Sequence, residues 1–367
     1  MSVTTPSTGS ATAPPSGTHG AVRIGVMGCA DFAFRRMLPA FAACRATEIA
    51  AVASRDPRKA ARLAARYDCR PVHGYEHLLA LDDVQAVYVP LPVALHAPWV
   101  EAALRAGKHV LAEKPLTTDP RQTEHLLTLA RDRGLALMEN VLFVHHPGHT
   151  RVRELLDSGL IGQLRAFHGA FTTPPRPATD IRYAPELGGG ALWDVGVHPL
   201  RAALHFLGPG LRVVGACLGQ GPGRTVDTSG AALLRTDTGV AAHITFGMEH
   251  AYRSAYELWG SEGRITVDRA FTPPPDHGPV VTVHRDGGSE DVSLEPCDQA
   301  VRAVAAFARA VAAGGAPGEG TAVQARLAEA VRVAAGYGRG GMAVAEAVGT
   351  RAGATGERAA RPSVMSG

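Results

Sequence analysis

The segment Val22–Met27 reads VRIGVM and is followed at once by Gly28. No other feature of the chain restricts its fold as strongly. An apolar run without polar alternation is a strand covered on both faces, as in a parallel sheet. A helical pattern begins just past the glycine and runs to about Arg45. A second strand is expected over Glu48–Ser54 (EIAAVAS), and Pro57 opens the next helix at its first turn. The alternation continues with strands at Ala86–Val89, His109–Ala112 and Ala136–Glu139. Helices are expected at Leu95–Ala106 and Pro120–Arg133. Strands alternating with helices of this length predict an α/β unit with a doubly wound parallel sheet.

The pattern changes after about Phe143. A helix over Arg151–Ser158 leads into an alternating strand over Leu164–Phe171, and a glycine-rich loop and helix fill Gly188–Leu207. Strand pairs follow, separated by Asp237-Thr238-Gly239, Glu262-Gly263 and Asp286-Gly287-Gly288. Such turn spacing predicts a large, mostly antiparallel open sheet. Two Ala-rich helices, Gln299–Ala313 and Thr321–Gly336, complete an α+β domain. The expected organisation is a disordered tail over 1–21, a nucleotide-binding domain over 22–143, a substrate-binding and oligomerisation domain over 144–347, and a flexible tail over 348–367.

Composition excludes several classes of function. Hydrophobic residues make up 46% and charged residues 19% of the 367 positions, which suits a globular protein. The formal net charge is +3 and no Lys/Arg-rich run occurs, so nucleic acid is not an expected partner. No apolar stretch approaches the roughly 20 residues of a membrane span. The N-terminal segment lacks the basic and apolar regions of a signal peptide. The five cysteines are scattered and never form a CxxC pair, which argues for reduced thiols in the cytoplasm and against a cysteine zinc site. His145-His146-Pro147-Gly148-His149 has no neighbouring carboxylate or Cys, so no metal is expected there.

The turn after the first strand is Gly28-x-Ala30-x-x-Ala33, a reduced form of the Rossmann fingerprint that keeps only its first glycine. Gly28, Cys29, Ala30, Asp31, Phe32 and Ala33 are therefore candidates for holding a dinucleotide pyrophosphate at a helix start. At the end of the second strand an NAD enzyme usually places Asp or Glu. Here Ser54-Arg55 stands there, a hydroxyl and a guanidinium suited to the 2′-phosphate of NADP. Glu113-Lys114-Pro115 directly follows the strand KHVLA, at the sheet's carboxyl edge, where open α/β sheets bind ligands. Lys114 is positioned to polarise and protonate a carbonyl oxygen. In GGGALWDVGVH, Asp194 and His198 are four apart and share a helical face. The carboxylate is expected to raise the imidazole pKa.

The segments IGVMGCADFA, ASRDP, YVPLPVALH, GKHVLAEKPL, MENVLFVHHP and GGGALWDVGVHPL, taken in order, resemble the glucose-fructose oxidoreductase / inositol dehydrogenase (Gfo/Idh/MocA) family. That resemblance implies a catalytic Lys114 with a cis bond to Pro115, and a substrate-facing Asp194 and His198. It places Leu91, Pro92 and His96 along the nicotinamide side, Glu113 near the nicotinamide ribose, and Asn140 and His146 at the interdomain crevice. It also implies a homodimer or homotetramer formed through the C-terminal sheet. Polyol dehydrogenases of the family often carry Asp where Arg201 stands, which argues against a polyol. Within the family the likeness is greatest to NADPH-dependent reductases of dTDP-linked 3-keto-deoxysugars, such as dTDP-3,4-didehydro-2,6-dideoxy-glucose 3-reductases. Arg35, Arg36 and Arg182 are then candidates for binding the substrate diphosphate. The alternatives are a dehydrogenase of a free sugar or cyclitol, and a non-catalytic NADP-binding regulator, which would be expected to lack the lysine.

Overall fold

Two sheets organise the chain in a computed structural model that describes residues 20–315 and 318–336. Residues 1–19 of the expected N-terminal tail, the whole expected C-terminal tail over 348–367 and the last residues, 337–347, of the expected second domain lie outside the described residues. The first sheet contains β1 (Val22–Met27), β2 (Thr47–Ser54), β3 (Arg70–His73), β4 (Ala86–Val89), β5 (His109–Glu113) and β6 (Leu137–Asn140). Its order is β3-β2-β1-β4-β5-β6, every pair is parallel, and the sequence order reverses between β1 and β4. That reversal opens a crevice at the carboxyl ends of the strands. The crossovers carry α1 (Leu38–Ala43), α2 (Pro57–Arg66), α3 (Tyr75–Leu79), α4 (His96–Arg105) and α5 (Pro120–Asp132). β1, β4 and β5 are almost wholly buried, which is why their sequences show no polar alternation.

After α6 (Pro147–Asp157) the chain builds the second sheet from β7 (Leu164–Thr172), β8 (Arg212–Gly219), β9 (Ser229–Arg235), β10 (Ala241–Gly247), β11 (Arg253–Gly260), β12 (Gly263–Asp268), β13 (Val280–Arg285) and β14 (Gly288–Ser293). The order is β14-β13-β12-β11-β7-β10-β9-β8. All pairs are antiparallel except β7 with β10. One face packs on a core that includes Phe167, Phe246, Leu258 and residues of α7 (Val197–Leu207). The other face carries a stack of His168 between His243 and Trp259, with Val214 and Leu233 exposed nearby. This is the face to which the resemblance assigns self-association.

The last two helices are α8 (Gln299–Ala312) and α9 (Glu319–Ala334). The domain boundary drawn on the sequence is not respected in space. Ala300, Val304 and Phe307 of α8 are fully buried in the first domain's core, against residues such as Ile24, Met37 and Phe41. Chain order therefore assigns α8 to the second domain while packing returns it to the first. Among the described residues no helix is long and apolar enough to cross a membrane.

Candidate active site

β5 ends at Glu113, so Lys114 leaves the carboxyl edge of the parallel sheet directly into the crevice. Its bond to Pro115 is cis. The Lys114 ammonium donates to the Asp194 carbonyl at 2.5 Å and to Asp194 Oδ1 at 3.2 Å. Asp194 Oδ2 accepts from Arg182 Nε at 2.7 Å. Burial alone would raise the Asp194 carboxyl, but the Lys114 and Arg182 charges outweigh it and hold the group far below the ordinary carboxylate range. His198 lies one turn further on, with Phe171, Phe271 and Phe143 around its ring at centroid separations of 4.7, 5.8 and 6.4 Å. Lys114, Asp194 and His198 share one cleft of about 690 Å³, lined from both domains.

The expected upward shift of His198 is reversed. Burial first, then the Lys114 cation, pushes the imidazole down to about 3, against a smaller opposing pull from Asp194. Asp194 is the nearer carboxylate, but its charge is already shared between two cations. His198 is therefore a neutral imidazole at neutral pH, and its Nδ1 is buried without a hydrogen-bond partner.

The local geometry of this segment depends on glycine and on one distant aspartate. Gly190 has φ +128°, and a Cβ there would come within 2.5 Å of Asp227 Oδ1. That close approach lets Asp227, between β8 and β9, accept from Leu192 N at 2.7 Å through Oδ2. Its carbonyl accepts from Ala191 N at 2.8 Å. Asp227 thus caps the π-helical turn Leu192–Gly196 that carries Asp194 and runs into α7 with His198. Burial pushes the Asp227 carboxyl up to about 6. Nothing in the sequence marks this residue, since GRTVDTSG reads as an ordinary polar turn.

On the nucleotide-domain side, Glu113 accepts from Tyr88 Oη at 2.7 Å and from Asn140 Nδ2 at 2.6 Å. Burial raises the Glu113 carboxyl, against these two donors and Lys114. Ala30, Phe32, Leu91, Pro92, Glu113 and Asn140 all line the cleft. Gly28 has φ +116°, and a Cβ there would touch Leu91 Cδ2 at 3.0 Å. At the end of β2, Ser54 Oγ accepts from Asp56 N at 3.1 Å. The Asp56 carboxylate caps α2 by accepting from Arg58 N and Lys59 N. The carboxylate nearest this corner is thus committed to a helix terminus, while Arg55 is exposed. A close-approach glycine before a helical turn, with an exposed guanidinium at the end of β2 that meets the Tyr75 hydroxyl and, among the described residues, no carboxylate, fits NADP.

Several expected residues take other positions. His96 does not line the cleft. It is buried with its ring nitrogens against Leu91 O at 2.8 Å and Pro115 O at 3.0 Å, so it ties together the two loops that do. His146 is buried as the N-cap of α6, accepting from Gly148 N through Nδ1, and is not a lining residue either. This cap starts α6 at Pro147, earlier than its hydrophobic pattern suggests. Arg35 is exposed and paired with Asp31, Arg36 is paired with Asp298, and neither lines the cleft. Arg182 lines it, but its guanidinium is divided between Asp180 and Asp194. Arg201, read as a substrate-facing replacement, instead pairs with the buried Glu139 at 3.2 Å. Glu139 also accepts from Leu116 N and Gln324 Nε2. Among the described residues no group of three or more His, Cys, Asp or Glu is placed to hold a metal ion.

Residues 22–141 match the NAD-binding Rossmann-fold model of the GFO/IDH/MocA oxidoreductase family, and residues 149–266 match that family's C-terminal domain model. The chain belongs to this oxidoreductase family. Among its relatives is a dTDP-3,4-didehydro-2,6-dideoxy-alpha-D-glucose 3-reductase of Streptomyces violaceoruber. It is 56% identical over 86% of this chain and 96% of the relative. A protein of the same description from Saccharopolyspora spinosa is 54% identical over 84% of this chain and 96% of the relative. The structure of KijD10, a 3-ketoreductase from Actinomadura kijaniata in complex with NADP and TDP-benzene, superposes with a TM-score of 0.84. It is 52% identical and covers 86% of this chain and 98% of its own. Other structures of KijD10 carry a lysine replaced by alanine or a tyrosine replaced by phenylalanine. Those two residues are spaced along that chain as Lys114 and His198 are here.

Proposed function

We propose that the chain is an NADPH-dependent reductase of the C3 keto group of a dTDP-linked deoxysugar, acting in the cytoplasm. The 3-reductase relatives support the substrate class. One observation carries the chemistry: the Lys114 ammonium stands in a cleft between the two domains, held by Asp194 and facing the same space as His198. Arg201 no longer weighs against a polyol, because it is engaged by Glu139. The preference for a keto-sugar rests on the relatives.

Ala30, Phe32, Leu91, Pro92, Glu113 and Asn140 would hold NADP along the cleft, with Ser54 and Arg55 at its 2′-phosphate. When bound, NADPH supplies the hydride that reduces the carbonyl carbon. Lys114 donates to the carbonyl oxygen and gives it a proton as negative charge develops there, leaving a neutral amine that solvent reprotonates. Asp194 holds the Lys114 Nζ in place through two contacts and balances its charge. His198, neutral because it is buried, gives or accepts a hydrogen bond at the substrate and is not the net proton source.

The test is NADPH oxidation against dTDP-linked 3-keto-deoxysugars, free sugars and cyclitols. The dTDP-linked compounds should be the preferred substrates. Lys114→Ala should lower kcat by about 100-fold or more, the range of a positioned general acid, while NADPH binding by fluorescence titration persists. Full turnover in that variant would remove the role given to Lys114.

A further inference from the structure

A dTDP-linked sugar brings a diphosphate into the cleft, and that charge requires a cation. Three lysine or arginine side chains line the cleft: Lys114, Arg182 and Arg176. The first two are bound to Asp194, and Arg182 also to Asp180. Arg176 is exposed, and among the described residues no carboxylate lies within ion-pair reach of it. We propose that Arg176 is the diphosphate-binding residue of the substrate site, in place of Arg35, Arg36 or Arg182. This inference rests on the nucleotide-sugar reading above.

The backbone around Arg176 supports the assignment. The sequence is Pro174-Pro175-Arg176-Pro177. Three prolines fix φ at their own positions and push each preceding residue toward extended conformations, so the segment is stiff. It follows β7 directly, where Thr173 N donates to Gly247 O at 2.9 Å. It is pinned again where Arg176 N donates to Tyr183 Oη at 3.3 Å. An arginine held on such a segment loses little backbone freedom when it closes on an anion. Its planar fork of donors matches two phosphate oxygens at once, which lysine cannot reproduce. The position also suits the order of the substrate. Lys114 is half-buried inside the cleft and Arg176 stands at the exposed rim, so a keto group can reach inward while the diphosphate remains outside.

The probe is dTDP itself, titrated calorimetrically into the NADP-loaded enzyme at low and high salt. Arg176→Ala should weaken dTDP binding about tenfold or more and flatten its salt dependence. Arg176→Lys should fall between the two. Both variants should keep wild-type affinity for NADPH, which also shows that they fold. With the dTDP-linked substrate, KM should rise and kcat change less than twofold. Wild-type dTDP affinity in Arg176→Ala, or an equal loss of NADPH binding, overturns the assignment. A wild-type enzyme that does not bind dTDP overturns instead the nucleotide-sugar reading on which the assignment rests.

Discussion

Arg55 is the guanidinium proposed to decide between two cofactors that differ only by a phosphate. It follows Ser54 at the end of β2 and is exposed, while the adjacent Asp56 spends its carboxylate on the first amides of α2. The corner therefore offers a positive charge without a free negative one to oppose a 2′-phosphate. A charge-assisted hydrogen bond contributes about 1.5–3 kcal/mol, or roughly a ten- to hundredfold change in binding. Arg55→Ala should raise KM for NADPH by about that factor and leave KM for NADH nearly unchanged. Measuring both oxidation rates checks this, and an unchanged KM ratio would count against a 2′-phosphate contact. Lys114 and Arg55 were legible in the sequence because their positions depend only on where a strand ends. Arg35, Arg36, Arg182 and Arg201 were not. Which carboxylate claims an arginine depends on residues far along the chain: Arg36 is taken by Asp298 and Arg201 by Glu139.

Among the elements, the π turn running into α7 matters most, since it presents both Asp194 and His198. Its first amides are buried, and Asp227 satisfies Leu192 N from a different part of the chain. Asp227→Ala would orphan that amide and open a void beside Gly190, at a cost of about 1–3 kcal/mol. The disturbance falls on Asp194, which holds the Lys114 ammonium, and on His198, which lines the same cleft, so under the proposed chemistry kcat should drop more than KM rises. Asp227→Asn keeps an acceptor and should recover most of the loss in both kcat and thermal stability. An Asp227→Ala enzyme with unchanged kcat would show that the turn holds itself. Other elements show the limits of periodicity. The buried strands β1, β4 and β5 stand out because both faces are covered. β3 reads RPVH, a short edge strand with a proline, and β8 is broken by a register shift between Val213 and Gly215, so neither carries an alternating pattern.

The molecule as a whole is held together by contacts that cross its domain boundary, and it buries imidazoles on both sides of it. α8 fills the first domain's core. Glu139 on β6 joins the loop after Lys114 to α7 through Leu116 N and Arg201, and to α9 through Gln324. Among the described residues, every histidine with a resolved shift is pushed downward, with burial as the first cause. His149 and His198 fall to about 3, and His145 and His205 to about 4, from an ordinary 6.5. The folded chain thus keeps these rings neutral at pH values where the unfolded chain protonates them. Protons bound preferentially by the unfolded state favour unfolding, so the stability present above pH 6.5 is lost as pH falls from 6.5 toward 3–4. Each such histidine contributes up to about 1.4 kcal/mol per pH unit. Asp227 acts in the opposite direction. Its carboxyl is raised from 3.8 to about 6, so the folded state holds the extra proton in that window. The Glu113 carboxyl, also raised by burial, joins it, but two opposing carboxyls do not balance four imidazoles, and the melting temperature should fall on acidification from pH 6.5 to pH 4. A melting temperature that stays level or rises across that range would mean that these imidazoles are charged and solvated in the folded protein, and that the cleft around His198 is open to water.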